Sequence, residues 1–457
     1  MERKPLDPKE IERIIRRLRA ELRKNPRSPS LHHDLGIAYM EKREIDRALR
    51  EFRQTVQLDP RHVSGHYMLG VAYAEKMQLD EALDQWKKVV ELDPRHAMAR
   101  YFMGKVYAMK GMLDAAIFQI EKAAAIEPQQ ALYHIALGEL YMARGEPEEA
   151  VKAWKTALEH NPRELRAYHN LQAAALDLGR LQECIQYGKK ALELGSTSPV
   201  VHYNLGIAFM RLGEDDQAKV HLRQALEGSP DDSAIYVNLG QLEARAGNRE
   251  AARAYWEQAE RVDPETPDAP YNLGVLLAQE GKYAEALRMW EKALKRAPQS
   301  TRIRQAIASA YVALGNIDRA LAEWERVCKE HPNNPEVYAN LAELHLRAGR
   351  PSMAADQLAT SRRLLTERPA WKELQAQVAF LEGLVALKRG EPQRAVEAWA
   401  EAYEQDANVA LSNVGLLRAV LEASEVDQLR LAAQAVGEPG AAAVRAVVSV
   451  YKGPGGG

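Results

Sequence analysis

Asparagine returns at fixed intervals in this chain of 457 residues. Asn170, Asn204, Asn238 and Asn272 are spaced 34 residues apart, and Asn340 follows two intervals later. Asparagine competes with the backbone for hydrogen bonds and is a poor helix-interior residue, so helix formation does not explain the column. A side-chain amide both donates and accepts. A row of amides can therefore bond to the backbone of an extended peptide with little regard to its side chains. Arg211 and Arg245 each stand seven residues after one of these asparagines. Their charge would favour an acidic or carboxylate-bearing chain.

A second group is apolar. Eight of the twelve methionines lie between residues 40 and 142. Met68, Met98, Met109 and Met142 have Tyr67, Tyr101, Phe102, Leu132 and Ile135 as near companions. Flexible thioethers beside rings make an adaptable apolar surface. His62 and His66 have i, i+4 metal-ligand spacing. However, His66 shares one repeated packing position with His32, His134 and His202, which favours a structural role. Cys184 and Cys328 have no CxxC neighbour. No phosphate loop, GxSxG elbow or HExxH occurs, so no enzyme, cofactor or metal site is expected.

Composition narrows the classes further. The net charge is −2, with 28% charged and 46% hydrophobic residues. No chain-wide basic field exists to attract nucleic acid or anionic lipid. Two cysteines do not make a disulfide framework and suit a reducing compartment. There is no apolar stretch of about 18 residues and no apolar signal-peptide core near the N-terminus. The expected address is the cytoplasm, with recruitment to a membrane or complex only through a partner.

These residues are positioned by an internal repeat, the first thing to look for in a chain of this length. Ten units of 34 residues start at residues 29, 63, 97, 131, 165, 199, 233, 267, 301 and 335. Position 8 is Gly in seven units, position 20 is Ala in nine and position 32 is Pro in eight. Position 15 is Gly from Gly111 through Gly349. Positions 4, 7, 8 and 11 share one face of a first helix; positions 20, 24 and 27 share one face of a second. Small residues at 8 and 20 permit close approach, and a bulky residue at 24 fills the space beside them. Packing is expected to account for the tryptophans, with five at position 24 and Trp399 at its equivalent. Gly at 15 ends the first helix in a left-handed conformation, and Pro at 32 ends the second.

The pattern resembles the tetratricopeptide repeat (TPR), a helix–turn–helix of 34 residues, over about residues 29–405. The resemblance implies an all-α solenoid, a right-handed superhelix of antiparallel helix pairs. It also implies that positions 2, 5, 6, 9, 12 and 13 of the first helices line a concave groove. The early groove would then be apolar, with Tyr67, Met68, Met98, Tyr101, Phe102, Met109, Leu132, Ile135 and Met142. The later groove would carry Asn170, Asn204, Asn238, Asn272 and Asn340 with Arg211 and Arg245. The family's carboxylate clamp needs Lys at position 5, and none of the ten units has one.

Five segments are expected. Residues 1–28 form a basic amphipathic capping helix, 29–368 the ten units, and 369–406 an eleventh. The eleventh matches only if seven residues are inserted near Pro369–Gln375, which lengthens its first helix. Residues 407–451 form a degenerate helical cap, and 452–457 a disordered Gly-rich tail. The expected function is a non-enzymatic scaffold that binds an extended peptide or amphipathic helix of one or more proteins. Self-association through the apolar stretch is an alternative. So is a regulatory or substrate-recruiting role beside an enzyme on another chain. RNA binding is disfavoured by the charge and the strict period.

Overall fold

The computed structural model describes residues 7–368, 370–434 and 440–452. Among them are 27 helices and no strand. Among the described residues no helix is long and apolar enough to cross a membrane. The chain divides into two compact bodies, Met1–Ser229 and Pro230–Gly457.

In the N-terminal body the first helices of repeats 1 to 6 are Pro29–Glu41, Val63–Glu75, Ala97–Met109, Ala131–Arg144, Leu165–Asp177 and Pro199–Leu212. Each is followed by its second helix, from Ile45–Leu58 to Asp215–Gly228. Glycines close the first helices with positive φ, for example Gly145 at 83°. Arg43 and Met77 hold the same place in repeats 1 and 2 with φ of 57° and 58°, a region that costs a side chain energy.

The packing rule within a repeat is steric. Every residue at position 20, from Ala48 through Cys184 to Ala218, is 0% exposed. A Cβ on Gly70 would lie 2.5 Å from the Trp86 indole nitrogen, and one on Gly138 2.3 Å from that of Trp154. Each indole N–H also donates to the position 5 carbonyl of its own first helix: Trp86 to Tyr67 at 3.2 Å and Trp154 to Ile135 at 3.1 Å. In these repeats glycine at position 8 makes room for the bulky position 24 side chain, as it also does opposite Phe52, Ile120 and Leu222, whereas repeat 9 sets Ala308 against Trp324. Repeat 5 reverses the sizes. Gln172 stands at position 8, and Gly188 takes position 24, where a Cβ would meet Gln172 Nε2 at 2.4 Å.

Joints between repeats use position 4. The rings of His32, His66 and His134 bond to the carbonyls of Pro26, Pro60 and Pro128 at 3.2, 3.1 and 2.8 Å. Arg100 and Tyr168 do the same to Pro94 and Pro162. These carbonyls follow a helix end and lack intrahelical donors. His62 is also engaged: its Nδ1 accepts the Gly65 N–H at 3.0 Å and caps the helix. Both histidines of the metal-like pair thus have structural partners.

The helix Pro8–Lys24 is capped by Asp7, whose side chain accepts from the Lys9 N–H. It is more than a lid, because it keeps the repeat's register. Arg19 donates to the Tyr39 hydroxyl as Arg53 does to that of Tyr73, in both cases 20 residues on. Lys42 pairs with Glu12 as Lys76 does with Asp46 and Lys110 with Asp80, each 30 residues apart. It occupies the place of a second helix.

In the C-terminal body the first helices of repeats 7 to 11 are Ser233–Arg245, Asp268–Gln279, Thr301–Ala313, Pro335–Arg347 and Lys372–Lys388. The same Gly–Trp contact recurs at Gly240–Trp256, Gly274–Trp290 and Gly383–Trp399. Gly383 marks position 8 of repeat 11 and locates the insertion. Lys372–Lys388 has 17 residues against 13 in Pro335–Arg347. Seven inserted residues would make about two turns. About one turn enters the helix, and the rest stay in the link that holds Trp371. Val409–Ser412, Val414–Val420, Ala423–Gln434 and Gly440–Lys452 follow. Leu417, Leu429 and Val447 from these helices share a core with Trp399 and Phe380. Pro369 and the tail 453–457 lie outside the described residues.

Candidate protein-binding surface

First helices pack through positions 4, 7, 8 and 11, which leaves another side for contact with something else. In the N-terminal body this side carries large apolar residues on three helices, Val63–Glu75, Ala97–Met109 and Ala131–Arg144, beside the charged Glu75, Lys105 and Glu139. Tyr67, Met68, Met98, Phe102, Leu132 and Met142 are each partly buried. Phe102 joins the strip together. It packs against two buried clusters, one also flanked by Met68 and Val71 and the next also flanked by Met98 and Leu132. Its ring lies 5.4 Å from Trp86, 6.1 Å from Tyr67 and 5.5 Å from Tyr101. Tyr67 also meets His96 at 4.9 Å. Burial pushes the Tyr67 and Tyr101 hydroxyls above their ordinary pKa, so both stay neutral donors. Met109 is 58% exposed at the edge of the strip.

Two of the expected residues are corrected. Ile135 is 2% exposed and sits in the core with Trp154 and Leu171. Tyr101 is 8% exposed and packs on Tyr133, with ring centres 5.6 Å apart. Both are at position 5, where Tyr67 by contrast stays partly exposed, so burial at this position is set by the neighbours in each repeat.

The asparagines have mixed surroundings. In the N-terminal body Asn204 is 8% exposed and its carbonyl accepts from the Cys184 thiol. Burial pushes that thiol up to about 12, so it stays protonated at neutral pH. Asn170 is partly buried, and its Nδ2 has no acceptor. Arg211 donates to the Leu176 carbonyl at 3.1 Å, tying two first helices together. In the C-terminal body Asn238 donates to the Ala234 carbonyl one turn back at 2.8 Å. Asn272 is 8% exposed with an Nδ2 lacking an acceptor, Asn340 is partly buried and Arg245 is exposed. Arg302 lies over the Tyr271 ring at 4.0 Å. Expecting packing to explain every tryptophan fails at Trp371, which is 41% exposed.

Tetratricopeptide repeat models match residues 33–86, 77–131 and 135–199, then 200–232, and 221–358. Together they span well over half of the chain. The chain belongs to the tetratricopeptide repeat family. TPR repeats make it a scaffold for protein–protein interaction. Solved TPR structures resemble parts of it. MamA is 30% identical with a TM-score of 0.34, over 35% of this chain and 94% of that one. YrrB, described as a TPR protein with an unusual peptide-binding site, is 25% identical with a TM-score of 0.36, over 40% and 95%. The C-terminal part of a TPR repeat-containing protein from Cytophaga hutchinsonii is 17% identical with a TM-score of 0.45, over 53% and 99%. None of the curated proteins compared with this TPR chain matches it.

Proposed function

We propose that the protein is a non-enzymatic adaptor whose N-terminal body holds an apolar or amphipathic segment of a partner protein. The observation behind this is the strip joined by Phe102. Large apolar side chains from three successive first helices flank the core clusters and yet stay partly exposed. Docking an amphipathic helix or apolar peptide there removes this surface from water at roughly 25 cal/mol per Å². Thioether flexibility lets the strip adapt to its occupant.

A second element is the asparagine column, taken body by body. The acceptor-less amide nitrogens of Asn170 and Asn272 carry a desolvation cost. A carbonyl from an extended chain would remove it after a small side-chain rotation. Arg211 and Arg245 would add preference for an acidic chain.

The test is affinity purification from the native cells with the wild type and with Met68→Asp/Phe102→Asp. Circular dichroism should show both equally helical, and the principal partner should disappear from the variant. An unchanged partner set, with unchanged size on gel filtration, would refute the docking role. Replacing Asn238, Asn272 and Asn340 together with Ala tests the column in the same way.

A further inference from the structure

The C-terminal body contains a second feature that the repeat does not explain. A cleft of about 1150 Å³ opens between Pro335–Arg347, the start of Lys372–Lys388, and the cap segment from Gln405 to Leu416. It exists because of departures from repetition: the insertion before repeat 11 and the two short cap helices. Its size matches a short peptide segment and exceeds the need of one small ion.

Three features define what it would hold. The first is Gly415, in the cleft wall. The helical glycines from Gly36 to Gly383, such as Gly274 and Gly383, face side chains that would collide with a Cβ. A Cβ on Gly415 meets nothing within 4 Å. Internal packing does not require this glycine, whereas close backbone approach of a ligand would. The second is Trp371 at the rim. The Arg368 guanidinium already lies 5.0 Å from its ring centre, so the indole is placed among cations. The third is charge. Arg347 is neutralised by Glu343 at 2.9 Å. That leaves Glu336, Glu373 and Asp406 on the walls against Lys372, with Arg368 on Trp371 at the rim. Leu374, Val409 and Leu416 add apolar wall, and Gln377 a carboxamide for a peptide backbone.

We propose that this cleft binds a basic, partly apolar peptide segment of a partner protein, with Glu336, Glu373 and Asp406 meeting its cations and Trp371 covering one of them. The site is independent of the apolar strip in the N-terminal body, and each stands or falls without the other. It would make the protein a two-point adaptor with chemically distinct sites, one in each body.

The experiment titrates the full chain with a blocked hexapeptide of alternating leucine and arginine, by calorimetry and tryptophan fluorescence. The same peptide with glutamate for arginine, and spermine, serve as controls. The leucine–arginine peptide should bind saturably, and the glutamate peptide should not. Trp371→Phe should abolish the fluorescence change. Glu336→Gln and Glu373→Gln, both at exposed positions, should each weaken binding about fivefold, the upper range for exposed pairs. Gly415→Leu should weaken it roughly tenfold by filling the cleft without lowering the melting temperature. The proposal is overturned if the peptide does not bind at millimolar concentration. It is equally overturned if Gly415→Leu and the two Glu→Gln variants bind normally, or if spermine binds as tightly as the peptide.

Discussion

Replacing Gly138 with alanine tests the packing rule directly. Judged by helix propensity alone, Ala should stabilise a helix interior by about 1 kcal/mol over Gly. The tertiary geometry opposes this. The new Cβ would stand 2.3, 2.5 and 2.6 Å from three atoms of the Trp154 indole. Trp154 is 3% exposed and has nowhere to turn. Overpacking of this kind costs about 1–3 kcal/mol. Moving the indole also weakens its bond to the Ile135 carbonyl, worth about 1 kcal/mol. Net destabilisation of about 1–3 kcal/mol is expected, a drop of several degrees in melting temperature at about 2–4 °C per kcal/mol. Urea unfolding followed by circular dichroism would measure it. Gly138→Ala/Trp154→Leu recreates the Ala342–Leu358 pair of repeat 10. It should be more stable than the two single changes sum to, by a coupling of about 0.5–3 kcal/mol. A stabilised Gly138→Ala protein, or strict additivity in the double, would refute the steric account.

Other outcomes follow from the same geometry. Arg43→Gly and Met77→Gly should each stabilise by about 1 kcal/mol, because both residues hold left-handed backbone; a lower melting temperature would contradict this. Gly188→Ala should destabilise by about 1–3 kcal/mol through contact with Gln172 and Leu205, and Gln172→Gly/Gly188→Leu should recover much of the loss in thermal melts. Burial lowers the pKa of His33, His169, His202 and His221 below 6.5. Their stabilising contribution is therefore complete above 6.5. It is lost as pH falls below that value, because the unfolded chain takes up protons first. The urea midpoint should drop across this window, and less so in His202→Gln/His221→Gln, which removes a 3.0 Å ring–ring hydrogen bond.

Much of the fold is legible in the sequence because it is local and repeated. Gly at 15 has one backbone meaning, Ala at 20 one packing meaning and Pro at 32 one stopping meaning. Ten copies average out the exceptions. Less legible are pairings across the repeat that trade size or partner. The Gln172–Gly188 exchange looks like two separate departures until the side chains are seen in contact. The Pro8–Lys24 helix looks like a generic cap until Arg19 and Glu12 make contacts 20 and 30 residues on.

The candidate sites divide in the same way. The sequence by itself determined which residues stand on the first helices and that an apolar Met-rich run precedes an asparagine run. That follows from period alone, since a 34-residue repeat returns each position to the same helical face. Only the tertiary structure decided what those side chains are free to do. It turned Ile135 and Tyr101 into the core, bound Arg211 to the Leu176 carbonyl and left Phe102 bridging two clusters. It also opened the cleft beside Trp371 and Gly415. Burial and partner choice depend on neighbours brought together from different helices, and no period in the sequence encodes that distance.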